Sequence, residues 1–124
     1  MAKVLVVDDD SVMLVACQRL FIGEGYEVLG ASDGLSGLEM ARKERPDLIV
    51  LDLMLPKLDG FEVCYMLKSD EKFKSMKILM FTARKDEEVI RTSKESGADA
   101  YLTKGCDPRQ ILDLSKRLLA GETV

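Results

Sequence analysis

Six residues of this chain are of types that do chemistry together, and all stand at the ends of apolar runs: Asp8, Asp9 and Asp10 after "KVLVV", Asp52 after "LIVL", Thr82 after "ILMF", and Lys104 after "AYLT". Carboxylates, a hydroxyl and an ammonium suit phosphoryl chemistry, which asks for positioning and charge neutralisation more than for an elaborate base. Histidine is absent, which sets aside histidine-ligated zinc and serine–histidine nucleophile pairs. In a sheet ordered 2-1-3-4-5 the first and third strands are neighbours, and Asp8, Asp9 and Asp52 would share one crevice. Each like-charged pair would then repel by roughly 4 kcal/mol at about 4 Å and an effective dielectric near 20, a cost that demands a proton or a cation. At neutral pH a cation is the better answer. Oxygen-only ligands describe Mg²⁺ or Mn²⁺ and leave coordination positions for phosphoryl oxygens. An acid at a strand end is also an ordinary turn or capping residue, and Asp10, next to the helix-starting Ser11, suits that reading.

The elements that must position these residues follow from the pattern. Short β-rich runs, Val4 to Val7, Glu27 to Gly30, Leu48 to Leu51, Ile78 to Phe81 and Ala100 to Leu102, alternate with helical periodicities. Such alternation predicts βαβ crossovers and a parallel sheet covered on both faces, with ligands bound outside the carboxyl ends of its strands. The first helix is predicted from Ser11 to the glycines at 23 and 25, with Met13, Ala16, Cys17 and Leu20 facing the sheet. The last has Asp107 as N-cap, Pro108 at its first position, Ile111, Leu114 and Leu118 on one face, and Gly121 after it. The segment from Asp86 to Glu95 offers only Val89 and Ile90 as apolar anchors, so it is predicted to be the most mobile. "LKSDEKFKSMK", from Leu67 to Lys77, reads as a solvated helix end and loop, and the seven methionines read mostly as core.

Composition narrows the classes. A chain of 124 residues with 47% hydrophobic content suits a single domain, 1–124, with a sizeable core. Its net charge of −4 argues against a general nucleic-acid or anionic-membrane surface. Three widely spaced cysteines, Cys17, Cys64 and Cys106, give neither a disulfide framework nor a CxxC motif, and a reducing, cytoplasmic compartment is the simplest expectation. No apolar run approaches the roughly 18 residues of a membrane span. The glycines at 34, 37, 60 and 97 form no GxGxxG phosphate loop.

Four stretches in order, the acidic pair Asp8–Asp9, "PDLIVLDLMLPKLDG", "FTA" and "YLTK", resemble a bacterial two-component response-regulator receiver domain of the stand-alone, chemotaxis-regulator kind, over essentially the whole chain. The resemblance implies a flavodoxin-like (βα)5 fold with strand order 2-1-3-4-5. It implies a phosphorylation-activated switch: Asp52 as the phosphoacceptor, Asp9, Asp52 and the backbone carbonyl of Met54 as metal ligands with Asp8 acting mostly through water, and Lys104 and Thr82 on the phosphoryl oxygens. Thr82 would move inward with Tyr101, altering the face built from the fourth helix, fifth strand and fifth helix. The implied donor is a phosphohistidine on a sensor histidine kinase or a histidine phosphotransfer protein, and the implied reader is a downstream effector protein. No direct nucleic-acid or membrane contact is implied, and the protein is expected as a monomer or weak dimer. It would be no enzyme beyond its own phosphoryl transfer and autodephosphorylation. In one respect the chain departs from the family, with Gly105 where proline usually follows the lysine. Met54 and Arg84 occupy positions that in the family modulate phosphoryl loss. A haloacid-dehalogenase-like phosphohydrolase, using Asp8 and Asp10, is the nearest rival, but no acidic pair follows a late strand. A flavodoxin-like flavin carrier would set its phosphate against Asp8 to Asp10, and an inert receiver-shaped scaffold would not need the complete acidic set.

Overall fold

The computed structural model describes residues 1–124 and arranges ten elements in strict alternation. They are β1 (Lys3–Val7), α1 (Ser11–Gly23), β2 (Glu27–Ala31), α2 (Gly34–Glu44), β3 (Leu48–Leu51), α3 (Gly60–Lys68), β4 (Lys77–Thr82), α4 (Glu87–Glu95), β5 (Ala100–Thr103) and α5 (Pro108–Leu119). The strands pair in parallel in the order β2-β1-β3-β4-β5. Apart from Lys3, Lys77 and Thr82 at their ends, β1, β3 and β4 are apolar because successive side chains alternate between two covered faces. Leu5, Val7, Ile49, Leu51, Ile78 and Met80 pack under α2, α3 and α4, whereas Val4, Val6, Leu48, Val50, Leu79 and Phe81 pack under α1 and α5. Burying each such Leu, Ile or Phe contributes roughly 1.5–3 kcal/mol.

The strands run slightly farther than the apolar runs that announced them: β2 includes Ala31, β4 includes Lys77 and Thr82, and β5 includes Thr103. Ladder pairing, not side-chain polarity, ends a strand, which is how Thr82 pairs opposite Thr103. In α1 the predicted Met13, Cys17 and Leu20 do pack against the core, joined by Leu14 and the wholly buried Phe21, whereas Ala16 is exposed, so the stripe is turned slightly toward Leu14 and Phe21. α5 follows its signals, with a capping box between Asp107 and Gln110. Its buried face runs through Ser115 as well as Ile111 and Leu118, and Leu114 is half-buried. The stretch from Leu67 to Lys77 is not merely solvated. Phe73 and Met76 are buried, and the half-buried Lys68 ammonium meets Asp99 at 2.7 Å and the Met76 carbonyl at 2.7 Å. Met76 and Met80 are core, but Met54 and Met66 are exposed. No helix is long and apolar enough to cross a membrane.

Candidate functional site at the carboxyl edge of the sheet

β1 and β3 lie side by side, with Val7 opposite Leu51, so the residues that follow them emerge at the same edge. The Asp52 N–H donates to the Val7 carbonyl at 3.0 Å and the Asp8 N–H to the Ala31 carbonyl at 3.1 Å, which fixes both backbones just past the ladder. One carboxylate oxygen from each of Asp8, Asp9 and Asp52 comes within 4.8 Å of the others, a group that could hold a metal ion. Asp8 and Asp52 are buried, and Asp9 is exposed at the mouth. The oxygen-only donor set with one open side fits a hard divalent cation, which keeps several waters.

Lys104 reaches this cluster from the end of β5. Its Nζ lies 2.7 Å from Asp8 Oδ2 and 2.9 Å from Asp52 Oδ2, bridging the two buried acids. Burial alone would depress the lysine pKa, but the hydrogen bonds to Asp8 and Asp52 outweigh it and hold the ammonium charged above its ordinary range. For Asp8 burial wins: it pushes the carboxyl above its ordinary value against the hydrogen bonds from Lys104 and the Asp10 N–H, with the Asp52 charge adding to the rise. The cluster is thus short of positive charge even with the lysine in place. The turn after Lys104 is closed by the Cys106 N–H on the Thr103 carbonyl, and Gly105 adopts φ +126°, a conformation closed to proline with its φ near −65°.

Asp10 is a capping residue, accepting from Val12 N–H at 3.0 Å and Met13 N–H at 3.3 Å at the start of α1. It is not among the clustered acids. Thr82 is wholly buried at the end of β4, where its hydroxyl accepts from the Arg84 N–H at 3.4 Å. Tyr101 is half-buried on β5, and its hydroxyl donates to the Arg84 carbonyl. Burial, and then the Asp86 charge, push the Tyr101 hydroxyl up from its ordinary pKa, so it remains a donor at neutral pH. Met54 has an exposed side chain on the loop between β3 and α3.

Sequence reasoning missed how that loop is set. Asp59 and Glu62 form a capping box that starts α3, and Gly60 N–H donates to the Leu53 carbonyl at 2.9 Å. A Cβ at residue 60 would stand 2.3 Å from the Asp52 carbonyl oxygen and 2.9 Å from Leu53 Cα, so only glycine lets α3 begin this close to Asp52. The Asp-Gly pair followed by Glu62 carried the local signal for a helix start, but not for its contact with residue 52.

These acids and this lysine, on this topology, have counterparts among known proteins. The family described as "Response regulator receiver domain" matches residues 4–116. The chain belongs to that family. The receiver is 47% identical over 118 residues to the alkaline phosphatase synthesis transcriptional regulatory protein PhoP of Bacillus subtilis, covering 94% of this chain and 48% of the relative. It is 40% identical over 119 residues to the DNA-binding dual master transcriptional regulator RpaA of Synechocystis, covering 96% and 49%. The receiver thus spans about half the length of these curated relatives. A crystal structure of a CheY-like receiver domain protein from Methanospirillum hungatei superposes with a TM-score of 0.91 at 31% identity, covering 98% of this chain and 95% of that one. Membership identifies the receiver as a regulatory module of two-component response regulators and removes the phosphohydrolase and flavin-carrier readings.

Proposed function

We propose that this receiver, acting as one unit over its 124 residues, takes a phosphoryl group onto Asp52 from a phosphohistidine of a partner protein and thereby changes its partner-binding face. The observation that carries the reading is the cluster of Asp8, Asp9 and Asp52 with the Lys104 ammonium between its two buried members. An Asp52 carboxylate oxygen attacks phosphorus and the bond to the imidazole nitrogen breaks. The electron pair leaves with the imidazole, which takes up a proton. Lys104, already charged and close, pairs with the phosphoryl oxygens. Thr82 exchanges its Arg84 N–H for a phosphoryl oxygen, which draws the β4 end inward and loosens what Tyr101 holds. Asp9, Asp52 and the Met54 carbonyl, with Asp8 through water, would hold Mg²⁺ or Mn²⁺, which when bound neutralises charge on the transferring group. The donor is a sensor histidine kinase or a histidine phosphotransfer protein in the cytoplasm, and the reader is an effector protein or a further domain.

Intact mass after incubation with acetyl phosphate, with and without Mg²⁺, tests the reading on the wild type and Asp52→Asn. One metal-dependent phosphoryl adduct, missing in the variant, is expected. An equal adduct on the variant, or neither adduct nor phosphate release with any divalent metal, overturns it.

A further inference from the structure

All five helices start after an aspartate in extended conformation: Asp10, Asp33, Asp59, Asp86 and Asp107. Four of these carboxylates accept N–H groups of their own first turns. Asp86 forms no full cap hydrogen bond and feels the Val89 N–H only as the weakest influence on its carboxyl, although its backbone is set for a cap at φ −75° and ψ 153°. Both its oxygens accept from Arg84, whose Nε donates to Oδ1 at 3.3 Å and Nη2 to Oδ2 at 3.1 Å, which orients the carboxylate toward the guanidinium fork. The helix left without its cap, α4, buries only Val89 and Ser93, so terminal hydrogen bonds weigh heavily in its stability. The same residue engages, through its backbone, the hydroxyls of both Thr82 and Tyr101.

We propose that the Arg84–Asp86 pair is a lock on the cap of α4: while it holds, the helix is uncapped, and when Arg84 is drawn away, Asp86 turns onto the Glu88 and Val89 N–H groups and firms the first turn. The two arrangements are close in free energy. Arg84 and Asp86 are 50% and 47% exposed, and an exposed ion pair shifts an equilibrium by about fivefold at most. An aspartate cap shifts helix formation by about as much. A rotation of one side chain suffices, since the backbone does not have to change. As natural trigger we assign the departure of the Thr82 hydroxyl from the Arg84 N–H, which rests on the phosphoacceptor reading of Asp52; the lock itself does not.

Amide hydrogen exchange on the full chain, with no phosphoryl donor present, tests the lock. In Arg84→Ala the Glu88 and Val89 amides are expected to exchange about threefold more slowly than in wild type, which already populates the capped arrangement in part. The gain must vanish in the Arg84→Ala, Asp86→Ala double variant, which a general tightening of the fold would not produce. Arg84→Gln, with a similar stem and no bidentate fork, is expected to behave like Arg84→Ala and serves if that variant folds poorly. Unchanged or faster exchange in both Arg84 variants, or slowing that survives in the double variant, overturns the lock. Acetyl phosphate with Mg²⁺ should then slow the same amides in wild type and add nothing in Arg84→Ala. An adduct seen by mass without that slowing overturns the trigger, whereas absence of any adduct counts against the phosphoacceptor reading and leaves the lock to the first comparison.

Discussion

Replacing Lys104 with alanine removes the ammonium that stands 2.7 Å from Asp8 and 2.9 Å from Asp52. The lysine side chain is 17% exposed and the two acids less, so water does little to replace it. Two like charges within 4.8 Å then remain buried, and the least costly escape is for one carboxyl to take up a proton. Raising a carboxyl from its ordinary 3.8 to neutral pH costs about 1.36 kcal/mol per pH unit, which caps the destabilisation at about 4 kcal/mol at pH 7. In a domain of this length that lowers the melting temperature by about 15 °C. A carboxyl with a raised folded pKa destabilises more as pH rises, so the deficit should shrink to about 1.6 kcal/mol at pH 5. Lys104 in the wild type has the opposite sign. Its raised pKa contributes stability that is fully present below the ordinary lysine value and is lost only as pH climbs through the folded one, so it adds no slope between pH 5 and 7. Mg²⁺ should restore more stability to the variant than to wild type, because no ammonium competes for the carboxylates. Saturation at a hundredfold over Kd corresponds to about 2.7 kcal/mol, or about 10 °C. Thermal melts of both proteins at the two pH values, with and without Mg²⁺, check this. An equal deficit at pH 5 and pH 7, or a Mg²⁺ response no larger than that of wild type, would rule out an unmet demand for a proton or cation at the Asp8–Asp52 pair.

Gly60→Ala should destabilise by about 1–3 kcal/mol through the clash with the Asp52 carbonyl, and should also slow labelling by acetyl phosphate; a melt and a labelling time course report the two effects. Ser115→Ala should stabilise by about 1 kcal/mol, since the serine hydroxyl is fully buried with no hydrogen-bond partner, and denaturant unfolding measures it. Among the thiols, Cys106 should react first with an alkylating reagent. Burial pushes Cys17 up to about 12, with the Asp8 charge adding to it, and keeps Cys64 raised too. Cys106, though also raised, is only partly covered, and peptide mapping of the modified chain ranks the three.

Much of this architecture was legible because each strand is an apolar run closed by a polar residue, and in a parallel sheet every such closure falls on the same edge. Asp8, Asp52 and Lys104 could therefore be named before their contacts were seen. The strand order was legible only through resemblance, since alternation of β and α says nothing of which strand lies beside which. What the sequence hid depends on pairs brought together by the fold. Nothing local marks Gly60 as the neighbour of the Asp52 carbonyl, or Ser115 as buried among apolar residues. Phe73 and Met76 sit in a charged stretch whose polarity masked two anchors. The Arg84–Asp86 pair was readable as opposite charges two residues apart, but that it coincides with a missing cap hydrogen bond on α4 is seen only in the structure.

Trapping the acyl phosphate decides whether Asp52 carries the phosphoryl group. Borohydride reduction after acetyl phosphate and Mg²⁺ treatment converts a phosphorylated aspartate to homoserine, and fragment masses locate it. Homoserine is expected at position 52 and at no other aspartate. Homoserine at position 8 or 9 with Asp52 intact would contradict this.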